Sequence, residues 1–251
     1  MKLTLILLVL FCATGSTALA QSRAAGAGFD ISAQNGIAFD ADAGLYRASG
    51  EVQLVAGDWV VLADALTARL TPARDSIVSV EAQGQVYVQR GALKAQASNL
   101  LVRPAEALIE MRGTPANLQL GDDRLVTEGL VILDQDQDQG EGAVTVEGDF
   151  VLVLGDIRLS GRAAAGWFLD DVLSRFEARE NVRVEGDGWL AAAERLSLDR
   201  ETDDLILEGA VALQQGTFIL SGNRVDYNLS TGSLNIDGQD NGRIRGALRL
   251  E

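Results

Sequence analysis

Histidine is absent from the sequence, and cysteine occurs once, at Cys12. Without histidine the commonest general base and the commonest metal ligand are both missing. Basic residues are also scarce: 21 Lys and Arg stand against 36 Asp and Glu, a net charge of -15. So acidic a chain offers no phosphate-neutralising field, which excludes nucleic acid as a partner. Aromatics make up only 5% and prolines number 3, yet 47% of the residues are hydrophobic. That apolar content is too high for a disordered acidic chain, which lacks the surface to offset ordering entropy. A length of 251 residues allows one long all-β domain or two smaller ones.

The first twenty residues read as a leader. Lys2 is followed by an apolar run from Leu3 to Phe11, broken only by Thr4, and then by Ala18-Leu19-Ala20. One positive charge, a short apolar stretch and an Ala-x-Ala site predict a secretory signal peptide, 1-20, cleaved before Gln21. The run is shorter than the roughly twenty apolar residues of a membrane span. The alternative, acylation of Cys12, would place bulky Phe11 where a small residue is wanted. Cleavage removes Lys2 and Cys12, leaving 20 basic against 36 acidic residues, a net of -16. Disulfides, thiolate catalysis and cysteine metal sites leave with them. The expectation is an extracytoplasmic, periplasmic β protein.

A repeat organises the rest. Gly84 and Gly113, Glu180 and Gly209, and Gly209 and Gly238 are each 29 positions apart. Segments starting at these marks superimpose: Val86 and Val88 on Val182 and Val184, and on Val211 and Leu213. A Gly turn follows, then Leu93, Trp189 or Phe218, then Leu100 with Val102, Leu196 with Leu198, or Val225 with Tyr227. The unit opening at Gly50 carries Val52, Leu54 and Trp59 in register. Apolar residues alternate at period two between Gly, Asn, Asp and Ser, which is strand-turn-strand chemistry. Trp189 to Leu196 looks helical alone, but it aligns with Phe218 to Val225, whose interior Gly and Asn disfavour a helix. Both are therefore read as strands. About seven units predict a continuous stack of short strands rather than separate globules.

Two stretches depart from the repeat. Asp134 to Gly142 alternates carboxylates and amides like the start of a calcium loop, but Gln139 and Thr145 stand where an EF-hand needs Gly and Glu. It reads as a solvated hairpin tip, and no metal or other cofactor is expected. Ser160 to Asp171, containing Gly166-Trp167-Phe168-Leu169, reads as an insertion that covers a core end or touches a partner.

The echo between Ile77 to Val88 and Val172 to Val184, together with Ile31-Ser32-Ala33, Ile37 to Asp40 and Ala48 to Val52, resembles the OstA-like family of periplasmic lipopolysaccharide-transport proteins, which includes LptA and LptC. The resemblance runs from about Phe29 to Gly238 and rests on degenerate motifs in register. It implies an all-β fold: a repetitive antiparallel β-jelly roll or β-taco, an open curved sheet. It also implies an apolar groove for lipopolysaccharide acyl chains, and edge-to-edge assembly with other OstA-like β-sheet proteins or with itself, toward the outer membrane. The modules would be 21-147 and 148-251, in one continuous sheet. Residues from the repeat register that would line the groove are Val52, Leu54, Trp59, Val86, Val88, Leu93, Trp189, Val211, Leu213, Phe218, Leu220, Val225 and Tyr227. The same positions would equally form a closed core, since alternation says only which side is inside. Edges are expected at Phe29 to Ile37 and Gly242 to Leu250, where Arg243, Arg245 and Arg249 either discourage aggregation or meet an acidic neighbour.

Three functional classes remain. A lipid-transport bridge accounts for export, repeats and edges. A structural or adhesive β-solenoid accounts for repeats and acidity without a groove. A two-carboxylate glycosidase would use the abundant acids, but these fall at turns and on polar strand faces, where solvation explains them. No catalytic residue is assigned, and the reading is not an enzyme. The acid excess fits poorly with an anionic lipid, whose phosphates must stay in solvent or meet scattered arginines.

Overall fold

The computed structural model describes residues 22–26, 28–136, 141–169, 172–237 and 245–248. The expected leader at 1–20, the centre of the Asp134 to Gly142 run and most of the expected edge at Gly242 to Leu250 lie outside them. Within the described residues the chain is a succession of strands, with one 3-10 turn at Pro104–Glu106. It opens with β1 (Ser22–Gly26), β2 (Phe29–Ala33) and β3 (Gly36–Asp40), followed by the long strands β4 (Leu45–Ala56), β5 (Trp59–Leu70), β6 (Ile77–Arg90) and β7 (Leu93–Arg103). Four shorter strands form the middle: β8 (Leu108–Arg112), β9 (Ala116–Leu120), β10 (Asp123–Thr127) and β11 (Leu130–Asp136). Long strands resume with β12 (Glu141–Leu154), β13 (Ile157–Leu169), β14 (Val172–Gly186), β15 (Trp189–Asp199), β16 (Asp204–Gln215) and β17 (Phe218–Asn228). The chain closes on β18 (Leu234–Asp237) and β19 (Arg245–Leu248).

Every pairing is antiparallel, and the pairings form one ladder from β1 to β19. Strands β4 to β7 and β12 to β17 pair in chain order. Elsewhere two short strands share the place of one long strand. β2 and β3 lie along β4, β9 and β8 along β7, β10 and β11 along β12, and β19 and β18 along β17. The two halves of the chain join through β8–β11 and β9–β10. The expected module boundary at 147/148 falls inside β12.

The fold class is the one that the family resemblance implied: an all-β antiparallel jelly roll. The strands differ from expectation in length, because the glycines that open the repeat units do not end strands. They occupy bulges. On β4, β6, β12 and β16 the pairs Gly50-Glu51, Gly84-Gln85, Gly148-Asp149 and Gly209-Ala210 interrupt the register, and Glu180-Asn181 does so on β14. Each glycine has a positive φ, as do Glu180 and Asn181. A two-residue bulge bends its strand and sharpens its twist. Aligned across the sheet, the bulges make a crease that divides it into two arms.

Arm one carries the turns at 57–58, 91–92, 121–122, 155–156, 187–188 and 216–217; arm two carries those at 41–44, 71–76, 104–107 and 200–203. The arms face one another, as sheets do in a sandwich. Ring pairs reach between them: Phe29 and Tyr46 at 5.8 Å, Phe150 and Phe176 at 5.7 Å, Trp189 and Tyr227 at 5.1 Å. Inward positions alternate along each strand, so β16 buries Leu205, Leu207, Val211 and Leu213. Parity is kept across each two-residue bulge and shifts on the strand opposite it, as from Val61 and Ala63 to Leu66 and Ala68 on β5, which keeps the apolar set inward on both sides of the crease.

Three sequence readings are refined. Trp189 to Leu196 is strand, as the repeat required, within β15. Ser160 to Asp171 is no insertion: through Leu169 it continues β13, with Phe168 buried and Trp167 facing out under the Arg175 guanidinium, 5.1 Å from the ring centroid. The starting edge also moves. β1 pairs along the whole of β2, Ser22 opposite Ala33 and Gly26 opposite Phe29, so Phe29–Ala33 is covered. Gly28, at φ +86°, makes the turn between them.

Candidate functional site: the apolar interior and its mouth

The arms close on one another along most of the molecule, but between β4–β5 and β6–β8 they leave a cavity of about 290 Å³. Arm one supplies Leu54, Ala56, Trp59 and Val61; arm two supplies Ile77, Val80, Val102, Leu108 and Ile109. Strand alternation places these side chains inward, and the turns at Gly57-Asp58 and Pro104–Ala107 frame the opening. The lining is apolar, so it favours hydrocarbon over water.

Charge sits only at the rim. Arg90 Nε donates to Asp58 Oδ2 at 2.9 Å, and its guanidinium lies 5.2 Å from the Trp59 ring centroid. Arg103 Nη1 reaches Glu110 Oε1 at 3.1 Å and Glu106 Oε2 at 3.6 Å. These pairs hold two cations beside an apolar opening, where they contribute more to position than to stability.

Of the residues expected to line a groove, the cavity brings together Leu54 and Trp59. Val52, Val86, Val88, Leu93, Val211, Leu213 and Val225 lie in the packed interior, none more than 4% exposed. Trp189, Leu220 and Tyr227 are partly buried against that interior. Phe218 is 59% exposed at the start of β17, opposite Leu248 of β19. The arm-two half of the lining escaped sequence reasoning. Ile77 and Val80 lie three residues apart and share a face only through the register slip between β5 and β6, and only facing sheets reveal that this stretch opposes Trp59.

The second half of the mouth is different. Asp123, on the inward face of β10, accepts from Arg200 Nη1 at 3.3 and 3.5 Å. Burial pushes the Asp123 carboxyl above its ordinary value, against the lowering pull of Arg200 and with added repulsion from Asp122. Ionising it therefore costs folded-state stability as pH rises through that raised value. At the turn between β5 and β6 the sign reverses. Thr71 Oγ1 donates to Asp75 at 2.7 Å, and with Ser76 it holds Asp75 below the usual carboxylate range.

This geometry defines a class: an antiparallel jelly roll with an apolar interior between two arms. Residues 30–139 match the family model described as LptA/(LptD N-terminal domain) LPS transport protein. Among solved structures, a match is to the crystal structure of LptH, described as the LptA homologous periplasmic component of the conserved lipopolysaccharide transport device from Pseudomonas aeruginosa. It shares 14% identity, covers 51% of this chain and 95% of its own, and gives a TM-score of 0.43. No curated protein matches the sequence.

Proposed function

We propose that the protein is a periplasmic lipopolysaccharide-transport component that holds acyl chains between its arms and extends its sheet edge to edge with OstA-like partners or further copies of itself. The observation that carries this reading is the apolar cavity between Trp59 and Ile109, which lies within the segment matching the family model. Burying acyl chain gains about 0.8 kcal/mol per methylene, so no conspicuous polar motif is needed for binding. A volume of about 290 Å³ is at the small end of ligand pockets. It accommodates part of one chain, so a lipid with several chains requires the arms to part. Its phosphates would meet rim arginines or solvent, which reconciles an anionic ligand with an acidic protein. The edges of β1, and of β18 with β19, are the candidates for strand addition.

The packed second half favours an alternative reading, a structural β-solenoid without a groove. Purifying the mature chain and measuring retained or added lipid A by mass spectrometry separates the two. Stoichiometric lipid A supports transport; none, at any lipid concentration, leaves the structural reading.

A further inference from the structure

After each turn of arm one, the first residue of the returning strand is apolar in β5, β7, β13, β15 and β17: Trp59, Leu93, Ile157, Trp189 and Phe218. In β10 it is Asp123. Asp123 shares its face with Leu125 and Thr127, which are buried, so its carboxylate points into the space between the arms. Its side chain is 14% exposed. The partner, Arg200, comes from arm two, 77 residues away. Its turn is braced: Arg200 N–H donates to Ser174 O at 2.9 Å, and Asp199 Oδ1 accepts from the N–H groups of Glu201 and Thr202. The two hydrogen bonds from Arg200 to Asp123 thus span the open side of the second half.

This link is weaker than its burial suggests. At 3.3 and 3.5 Å the bonds are longer than the usual range. Asp122 stands beside the carboxylate and repels it. A phosphate carries more charge and more acceptor oxygens than a carboxylate and forms stronger charge-assisted bonds with a guanidinium.

We propose that Asp123 and Arg200 form an ionic clasp that closes the mouth of the second half, and that Arg200 is where the phosphate of an amphiphilic lipid takes the place of Asp123 as the arms part. The inference rests on the reading that the interior receives lipid chains, and it adds a gate and a headgroup site to that reading.

The two partners are distinguishable, because Asp123→Asn and Arg200→Gln both break the clasp but only the first leaves the phosphate site intact. Calorimetric titration of the full chain and both variants uses dodecyl phosphate, dodecyl maltoside and inorganic phosphate. Both variants should bind the neutral maltoside alike and more tightly than the parent. Toward dodecyl phosphate, Asp123→Asn should exceed Arg200→Gln by about tenfold or more. Equal affinity of the two variants for dodecyl phosphate overturns the phosphate site. Inorganic phosphate binding as tightly as dodecyl phosphate overturns a lipid headgroup in favour of a free anion. Amide hydrogen exchange, read without ligand, tests the clasp itself: both variants should exchange faster in β10 and at residues 199–204, and unchanged rates overturn it. Faster exchange with no amphiphile bound by any protein supports the clasp but overturns the phosphate site and the lipid reading beneath it.

Discussion

Single residues decide where this sheet bends. Gly84 sits at φ +97° in the β6 bulge, with the Asp64 carboxylate lying where a β-carbon would go. Asp64 Oδ2 accepts from the Gln85 N–H at 3.1 Å, so the acid occupies the space that glycine leaves. Gly209 faces Glu194 in the same way on β16. Gly84→Ala is expected to lose about 1–3 kcal/mol through backbone strain and displacement of Asp64. Asp64→Ala should lose no more than about 1 kcal/mol, the value of one exposed hydrogen bond. Urea denaturation of the two variants checks the order; equal losses would contradict it. Asp75 provides a pH-dependent case. Because Thr71 and Ser76 favour its charged form, its contribution is present above the ordinary carboxylate value and lost as pH falls through the depressed one. Asp75→Asn should therefore be less stable than the parent at neutral pH, with the gap closing in acid. A gap that is constant with pH would remove the ionised carboxylate from the explanation. The pairing of Asp64 with Gln85 was not legible in the sequence, since the two meet only across a formed ladder.

Among elements, strand identity was legible and strand length was not. Period-two alternation directly reports a half-buried strand, and the repeat corrected the helix-like Trp189 to Leu196 by pairing it with Phe218 to Val225. The unit-opening glycines, however, carry the same local signature whether they make turns or bulges. Only the pairing of β4 with β5, or β16 with β17, shows that the chain continues through Gly50 or Gly209. The bulge pairs recur because each long strand must bend at the same height for two arms to face one another. Edges belong to this scale as well. β17 pairs with β19 through Phe218 to Ser221, opposite Leu248 to Arg245. Removing residues 242–251 bares that stretch of β17, including exposed Phe218, and should change the oligomer distribution. Sedimentation velocity across a concentration series checks this; identical distributions for the full and shortened chains would count against edge pairing. If the arginines at 243, 245 and 249 restrain aggregation, the shortened chain will form larger species.

Across the whole molecule, composition and architecture point the same way. A chain without histidine, and with its one cysteine at Cys12, has few groups for catalysis, yet two creased arms enclose an apolar interior. Only part of one wall of the cavity was legible: of the four arm-one residues, Leu54 and Trp59 were among those that the repeat register placed inward. The opposing wall was not, because which unit faces which depends on the crease rather than on spacing. The clasp between Asp123 and Arg200 was equally hidden, being two turns 77 residues apart. On the proposed reading, acyl chains lie between the arms at this cavity. A photo-cross-linking residue placed at Trp59, which lines it, or at neighbouring Leu62, which faces outward and is 39% exposed, tests that claim most directly. With lipopolysaccharide present, irradiation should yield a lipid adduct at position 59 and none at position 62. Equal labelling at the two positions, or none at 59 with lipid bound, would contradict it.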